Sequence, residues 1–123
     1  MGVSTVPHFR FDGEDHPCPL QLGLAVLGGR WRALILYRVG LGCRRFGELR
    51  RAIAGISERM LARELKELTR LGFLERQVFA AVPLHTEYRL TPLGEEAREA
   101  LEPLRRWGRR FKVDELPRVE RDR

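Results

Sequence analysis

Apolar residues keep to helical spacing in five stretches between residues 18 and 112, and a sixth stretch reads as two strands. Pro19 suits the first position of a helix with Cys18 at its N-cap, and LQLGLAVLG follows until Gly28 and Gly29 close it. RWRALILYRV predicts a second helix with Trp31, Leu34, Ile35 and Val39 facing the core, ended by Gly40 and Gly42. FGELRRAIA predicts a short third helix on Phe46, Leu49 and Ile53. After the turn at Gly55, Ser57 is placed as the N-cap of a longer helix that runs to Leu71 and stops at Gly72. Met60 stands where Glu or Gln would complete a capping box. FLERQVF and HTEYRL predict a hairpin joined by AAVPL. Thr91 and Pro92 open a last helix, with Leu93, Ala97, Leu101, Leu104, Trp107 and Phe111 on one side and a kink expected at Pro103. Residues 1–17, interrupted by Pro7, Gly13 and Pro17, read as an irregular arm, and residues 113–123 as a charged, frayed tail. With no repeat and no linker long enough to split it, 1–123 reads as one domain, a size at which a core needs no staple.

The helix beginning at Ser57 is the unusual one. Arg59, Arg63, Lys66 and Arg70 step by four, three and four, so they form one narrow stripe, with Met60, Leu61, Leu65, Leu68 and Leu71 on the other side. Like charges at this spacing repel by ~0.2–0.5 kcal/mol per pair. Glu58, Glu64 and Glu67 sit off the stripe, so charge is segregated by sign, which a generic wet face does not require. Glu64 falls inside the apolar arc, with no partner evident from the sequence.

Composition sharpens this picture only a little. Hydrophobic residues are 43% and charged residues 33%, as in ordinary globular proteins, and the formal net charge of +6 favours a polyanionic partner. The apolar runs are too short to span a bilayer, and the N-terminal stretch lacks the pattern of a signal peptide or a myristoylation site, so the expected compartment is the cytoplasm, with no membrane partner. There Cys18 and Cys43 are expected as free thiols.

Two helices separated by a glycine turn and followed by a two-stranded hairpin is the order of a winged helix-turn-helix, a mainly α fold with a small β-hairpin. The second helix of such a pair enters the DNA major groove and the hairpin lies along the neighbouring backbone or minor groove. Double-stranded DNA turns the stacked charge from a cost into an attraction through counterion release. Arg59 and Arg63, near the helix start, are placed for base edges, where Arg suits guanine; Lys66 and Arg70 are placed for phosphates. Arg44 and Arg45 before the third helix, and Arg76 and His85 flanking the hairpin loop, extend the basic surface. With Ser57 and Met60 at the helix start, they complete the candidate DNA-binding set.

The chain from Cys18 to Gly108 resembles the HxlR family of bacterial winged-helix transcriptional regulators. The resemblance rests on CPLQLGLAVLGGRWRALILYRV, RRFGELRRAIAGISERMLARELKELTRLGFLER, VPLHTEYRLTPLGEE and LEPLRRWG. It implies a homodimer held by N- and C-terminal helices, with the helix at Ser57 as the recognition helix. It also implies a cysteine at the position of Cys18, which in some relatives senses oxidants or electrophiles. His85 stands where many relatives carry Lys or Arg, which implies a weaker or pH-dependent wing contact.

No catalytic constellation is visible: no phosphate loop, nucleophile elbow or paired carboxylates. His8, His16, Cys18 and Cys43 lack the paired short spacings of structural zinc, so neither a metal nor another cofactor is expected. Cys18 is the redox-sensing candidate, since a thiolate at a helix N-terminus is stabilised by the dipole and free N–H groups, with Arg30 and Arg32 adding positive potential if the first helices pack closely. Cys43, beside Arg44 and Arg45, is the secondary candidate. The apolar side of the last helix, from Leu93 to Phe111, exceeds what a small domain covers, which points to a two-fold dimer. The expected function is sequence-specific transcriptional regulation by a non-enzymatic DNA-binding homodimer that answers an oxidant or small-molecule signal. The alternatives are a winged helix that docks a protein partner or binds RNA.

Overall fold

The computed structural model describes residues 7–113; the charged tail expected from residue 113 onward lies, apart from Val113, outside the described residues. The five expected helices are α1 (Pro19–Leu27), α2 (Arg32–Gly40), α3 (Phe46–Ala52), α4 (Glu58–Arg70) and α5 (Pro92–Arg109). Four short strands pair as two antiparallel hairpins: β1 (Phe9–Phe11) with β2 (Glu14–His16), and β3 (Leu74–Phe79) with β4 (His85–Leu90). The first hairpin corrects the expectation of an irregular arm over residues 1–17, of which residues 1–6 lie outside the described residues. Asp12 and Gly13 connect β1 to β2 with φ of 49° and 81°, the two left-handed residues that a tight hairpin turn requires. Gly13 is thus the turn of a hairpin rather than the break of a pattern.

The core gathers one side of every helix from α1 to α5. Ile35, Leu36, Leu49, Leu61, Leu65, Leu68 and Leu74 are fully buried. Each such burial contributes ~1.5–3 kcal/mol, so the three Leu of α4 outweigh the repulsion along its charged stripe, which three neighbouring pairs hold to ~1.5 kcal/mol. On α2 three of the four expected core residues hold. Ile35 and Val39 are buried and Trp31 packs against the core, but the third residue inward is Leu36, and Leu34 is 45% exposed toward α5. α5 runs unbroken through Pro103.

Local chemistry sets the ends of α4. Ser57 Oγ accepts the Met60 N–H at 3.0 Å. At the other end Gly72, with φ of 91°, lets the Phe73 N–H reach the Leu68 carbonyl and its own N–H reach that of Thr69, which turns the chain directly into β3. The third helix is capped differently: the Glu48 carboxylate accepts the backbone N–H groups of Arg44 and Arg45 at 2.9 and 3.0 Å, which holds its carboxyl below the usual range. The Tyr88 N–H donates to the Arg44 carbonyl at 2.8 Å, so the wing is tied to the start of α3.

Glu64 finds its partner here. Its carboxylate accepts from Arg32 Nε at 3.2 Å, and Arg32 also donates to the Val26 carbonyl at 2.8 Å. The pair is mostly buried, with side chains 24% and 18% exposed, and it joins the end of α1 and the start of α2 to the middle of α4. A carboxylate inside an apolar arc is stable there because a guanidinium from another helix reaches into the same arc.

Candidate nucleic-acid interface

α3, the Gly55 turn and α4 form the helix-turn-helix, and the β3–β4 hairpin is its wing. Arg59, Arg63 and Lys66 are exposed on the side of α4 away from the core, and none of the three has a carboxylate within ion-pair distance among the described residues. Arg44 and Arg45 are likewise exposed with no such partner. Some other arginines are matched, Arg50 with Glu58 at 3.2 Å, Arg89 with Glu75 at 2.8 Å and Arg105 with Glu102 at 2.7 Å, whereas Arg30, Arg51, Arg109 and Arg110 have no carboxylate at that range among the described residues. Arg44, Arg45, Arg59, Arg63 and Lys66 therefore leave unmatched positive charge along the helix-turn-helix. Lys66 shares one shallow concavity with Arg63 and Arg70, and a second with Arg76, Phe46 and Tyr88. Arg76 pairs with Tyr88 across the hairpin and so extends the basic surface of α4 onto the wing.

Four members of the expected set stand differently. Arg70 is the end of the stripe but not a free cation. It donates to both oxygens of Asp12, at 3.1 and 2.8 Å, and to Glu67, so it fastens the β1–β2 turn to the end of α4. Its own pKa is raised by Glu67 and Asp12, and both carboxyls are held below their usual values by its guanidinium. Met60 is half-buried against the core, and it serves the helix start through its backbone N–H rather than its side chain. Ser57 is engaged in the same cap. His85 pairs across the hairpin with Phe79, three positions from Arg76, so it occupies the opposite face of the wing. There its ring stacks on Phe79 at 4.8 Å, with one nitrogen 3.0 Å from the Pro83 carbonyl and the other 3.0 Å from the Glu87 carboxylate. The ring braces the wing instead of presenting a charge at its tip.

The tip itself was not singled out from the sequence. Ala80 to Leu84 carry no charge, and Val82 is 98% exposed and Leu84 73%. The signal was present in AAVPL, read only as a loop.

The cysteines are both half-buried free thiols. Cys18 is the N-cap of α1, and its side chain makes no capping hydrogen bond. The expected positive neighbours are engaged elsewhere: Arg32 by Glu64 and Val26, and Arg30 over the Trp31 ring at 4.6 Å. Cys43 packs against the core.

Along the apolar side of α5, Leu93, Leu104, Trp107 and Phe111 are exposed, the last three at 56–62%. Trp107 and Phe111 meet edge to face at 5.0 Å. Leu101 is half-buried and Ala97 is 6% exposed within the domain's own core, so Ala97 adds nothing to an outer face. Leu20 and Leu24 on α1 are exposed at 69% and 60%. No helix of the described residues is long and apolar enough to cross a membrane.

A family model described as HxlR-like helix-turn-helix matches residues 26–115, which take in the whole of this surface. The chain belongs to the HxlR family. Within it, the chain is 46% identical over 90 residues to the HTH-type transcriptional regulator YtfH of Escherichia coli K12, covering 73% of this chain and 71% of that one. Among solved structures, the redox regulator HypR in its oxidised form superposes with a TM-score of 0.72 at 34% identity, over 78% of this chain and 99% of HypR. Diamide-treated YodB of Bacillus subtilis gives 0.63 at 35% identity, over 76% and 94%. The protein is therefore an HxlR-type winged helix-turn-helix transcriptional regulator, and α4 is the second helix of its DNA-binding pair.

Proposed function

We propose that this HxlR-family protein works in the cytoplasm as a homodimer that recognises one operator duplex by binding alone, without catalysis. Arg59 and Arg63 read base edges, and Lys66, Arg76, Arg44 and Arg45 hold phosphates. What supports this most is the charge along α4: Arg59, Arg63 and Lys66 form one exposed stripe, and among the described residues none of them has a carboxylate within ion-pair distance. Phosphates are the partner that such a surface lacks, and Arg at the start of a recognition helix suits guanine O6 and N7. The two copies are joined through Leu93, Leu104 and Trp107 on α5 and Phe111 just beyond it, with Leu20 and Leu24 on α1 beside them, so that two α4 helices address half-sites one turn apart.

The deciding experiment selects bound sequences from a random duplex pool and then competes the selected duplex against random duplex, against RNA and against an acidic protein. Preference for one duplex by at least ~10³ is expected of a specific regulator. Equal competition by random duplex, or stronger competition by RNA or the acidic protein, overturns the reading.

Cys18 carries the oxidant response in this proposal. Its support is the helix-start position, the thiol left free of any cap bond, and the likeness to structures of a redox regulator and of a diamide-treated regulator. Mild peroxide or diamide is expected to change operator affinity of the wild type with the fold intact, reversibly on reduction, and to leave Cys18→Ser unaffected. An identical response from wild type and Cys18→Ser places the signal elsewhere.

A further inference from the structure

Arg70 is the fourth cation of the α4 stripe, about 6 Å further along the helix than Lys66, and it lines one concavity with Lys66 and Arg63. Its guanidinium has two hydrogen-bonding edges, and a carboxylate takes each. Glu67, one turn back on the same helix, accepts from Nε at 3.0 Å and from Nη2, the side-on edge. Asp12 accepts from Nη1 at 3.1 Å and from Nη2 at 2.8 Å, the end-on edge, although it stands 58 positions away in the chain. A fork of two N–H groups fits a phosphate as it fits a carboxylate. The β1–β2 turn is built to present that carboxylate. Asp12 and Gly13 make the turn at positive φ, Arg10 meets Asp15 across the hairpin at 2.9 Å, and the Phe11 ring packs on Phe73 at 5.5 Å. Phe11 thus ties the hairpin to the core independently of Asp12. The Asp12–Arg70 pair is about half exposed at both ends, where an ion pair adds little to stability.

We infer that Asp12 masks Arg70 from the DNA backbone and so sets the strength of sequence-independent binding. The inference rests on the reading of α4 as the recognition helix. Each cation that meets a phosphate adds affinity for every duplex alike, whereas contacts to bases separate one duplex from another. With Arg70 masked, the stripe meets DNA through Arg59 and Arg63, placed for bases, and through Lys66 as its one phosphate cation. Asp12 occupies the end-on edge of Arg70 that a phosphate oxygen pair would otherwise take, while Glu67 stays on the side-on edge. The internal carboxylate thereby removes one phosphate contact from each copy of the chain and leaves the base readers as they are. It also makes the N-terminal hairpin part of the DNA-facing charge pattern, although the hairpin lies outside the helix-turn-helix and its wing.

The test titrates the full chain with a fluorescent random-sequence duplex across a range of salt. Asp12→Asn removes the charge and keeps the turn, because asparagine tolerates the left-handed conformation of Asp12. It is expected to tighten binding about five- to tenfold per bound copy at about 0.1 M salt, and to steepen the dependence of log K on log salt by about one unit per copy. Asp12→Gly, which suits the same backbone and leaves no acceptor for Arg70, is expected to do the same. In an Arg70→Ala background neither substitution is expected to change affinity or slope. Unchanged affinity and slope in both variants overturns the inference, and leaves the DNA reading standing as long as the wild type binds duplex with a steep salt dependence. A gain that persists in the Arg70→Ala background overturns it as well, since Asp12 would then act through its own charge alone. A wild type with no salt-dependent affinity for duplex overturns the reading of α4 and this inference together.

Discussion

Replacing Leu104 and Trp107 together by glutamate is expected to leave a folded monomer whose operator affinity is lower by about 10²–10⁴. Both side chains are more than half exposed, at 58% and 56%, so the domain's own core does not depend on them. Leu101 is unsuitable for the same experiment, because it packs against that core and its loss would confuse unfolding with dissociation. In a dimer the second half-site is bound at the effective concentration set by the first, and two like charges on each face of a two-fold contact meet themselves across the axis. Sedimentation and operator titration of the same sample check both halves of the expectation. A wild type that sediments as a monomer at micromolar concentration contradicts it.

Gly94→Ala is expected to be strongly destabilising for a change of one methyl group. Gly94 is the third residue of α5, its N–H bound to Thr91 Oγ1 at 3.0 Å, and the helix there lies against the end of the wing. A Cβ on Gly94 would stand 2.1 Å from the Phe73 carbonyl oxygen and 3.2 Å from Leu90 Cδ2. That oxygen is backbone, and it accepts the Thr91 N–H at 3.1 Å, so it cannot move aside without releasing the helix start. Overpacking of this kind costs ~1–3 kcal/mol, and a clash with backbone belongs at the upper end. The helix propensity of Ala over Gly returns at most ~1 kcal/mol. A net loss of ~2 kcal/mol lowers the melting temperature by roughly 8 °C in a domain of this size. Gly108→Ala, where nothing lies within 4 Å, is the control and should be neutral or stabilising by up to ~1 kcal/mol. Thermal unfolding of the two variants decides the matter, and equal melting temperatures would contradict the packing described.

The helices, the wing and the identity of α4 were legible in the sequence because each rests on local rules: period 3.6, a Ser57 cap, glycine stops. What was not legible depends on contacts distant in sequence. The Arg32–Glu64 pair spans 32 positions and the Arg70–Asp12 contact 58, and neither periodicity nor spacing carries that information. Arg70 shows the consequence. Its place on the stripe follows from the helix, but its availability is set by a turn at the other end of the fold. Ala97 and Leu34 exchanged roles for a related reason, since a helix with neighbours on two sides has no single inner face. The N-terminal hairpin is a different case. Asp12-Gly13 is a strong turn signal, masked by Pro7 and Pro17 on either side of it. His85 was read by residue type as a wing cation, whereas strand parity from Arg76 already put the two on opposite faces.

The most direct test of α4 as the reading helix is a titration of the selected operator and a random duplex across a range of salt, for wild type, Arg59→Ala, Arg63→Ala and Lys66→Ala. Arg59→Ala and Arg63→Ala are each expected to lose ~1–3 kcal/mol of discrimination between the two duplexes. Lys66→Ala is expected to weaken both alike and to flatten the dependence of log K on log salt by about one unit. If Arg59→Ala and Arg63→Ala both keep the full preference for the operator, α4 does not read the sequence.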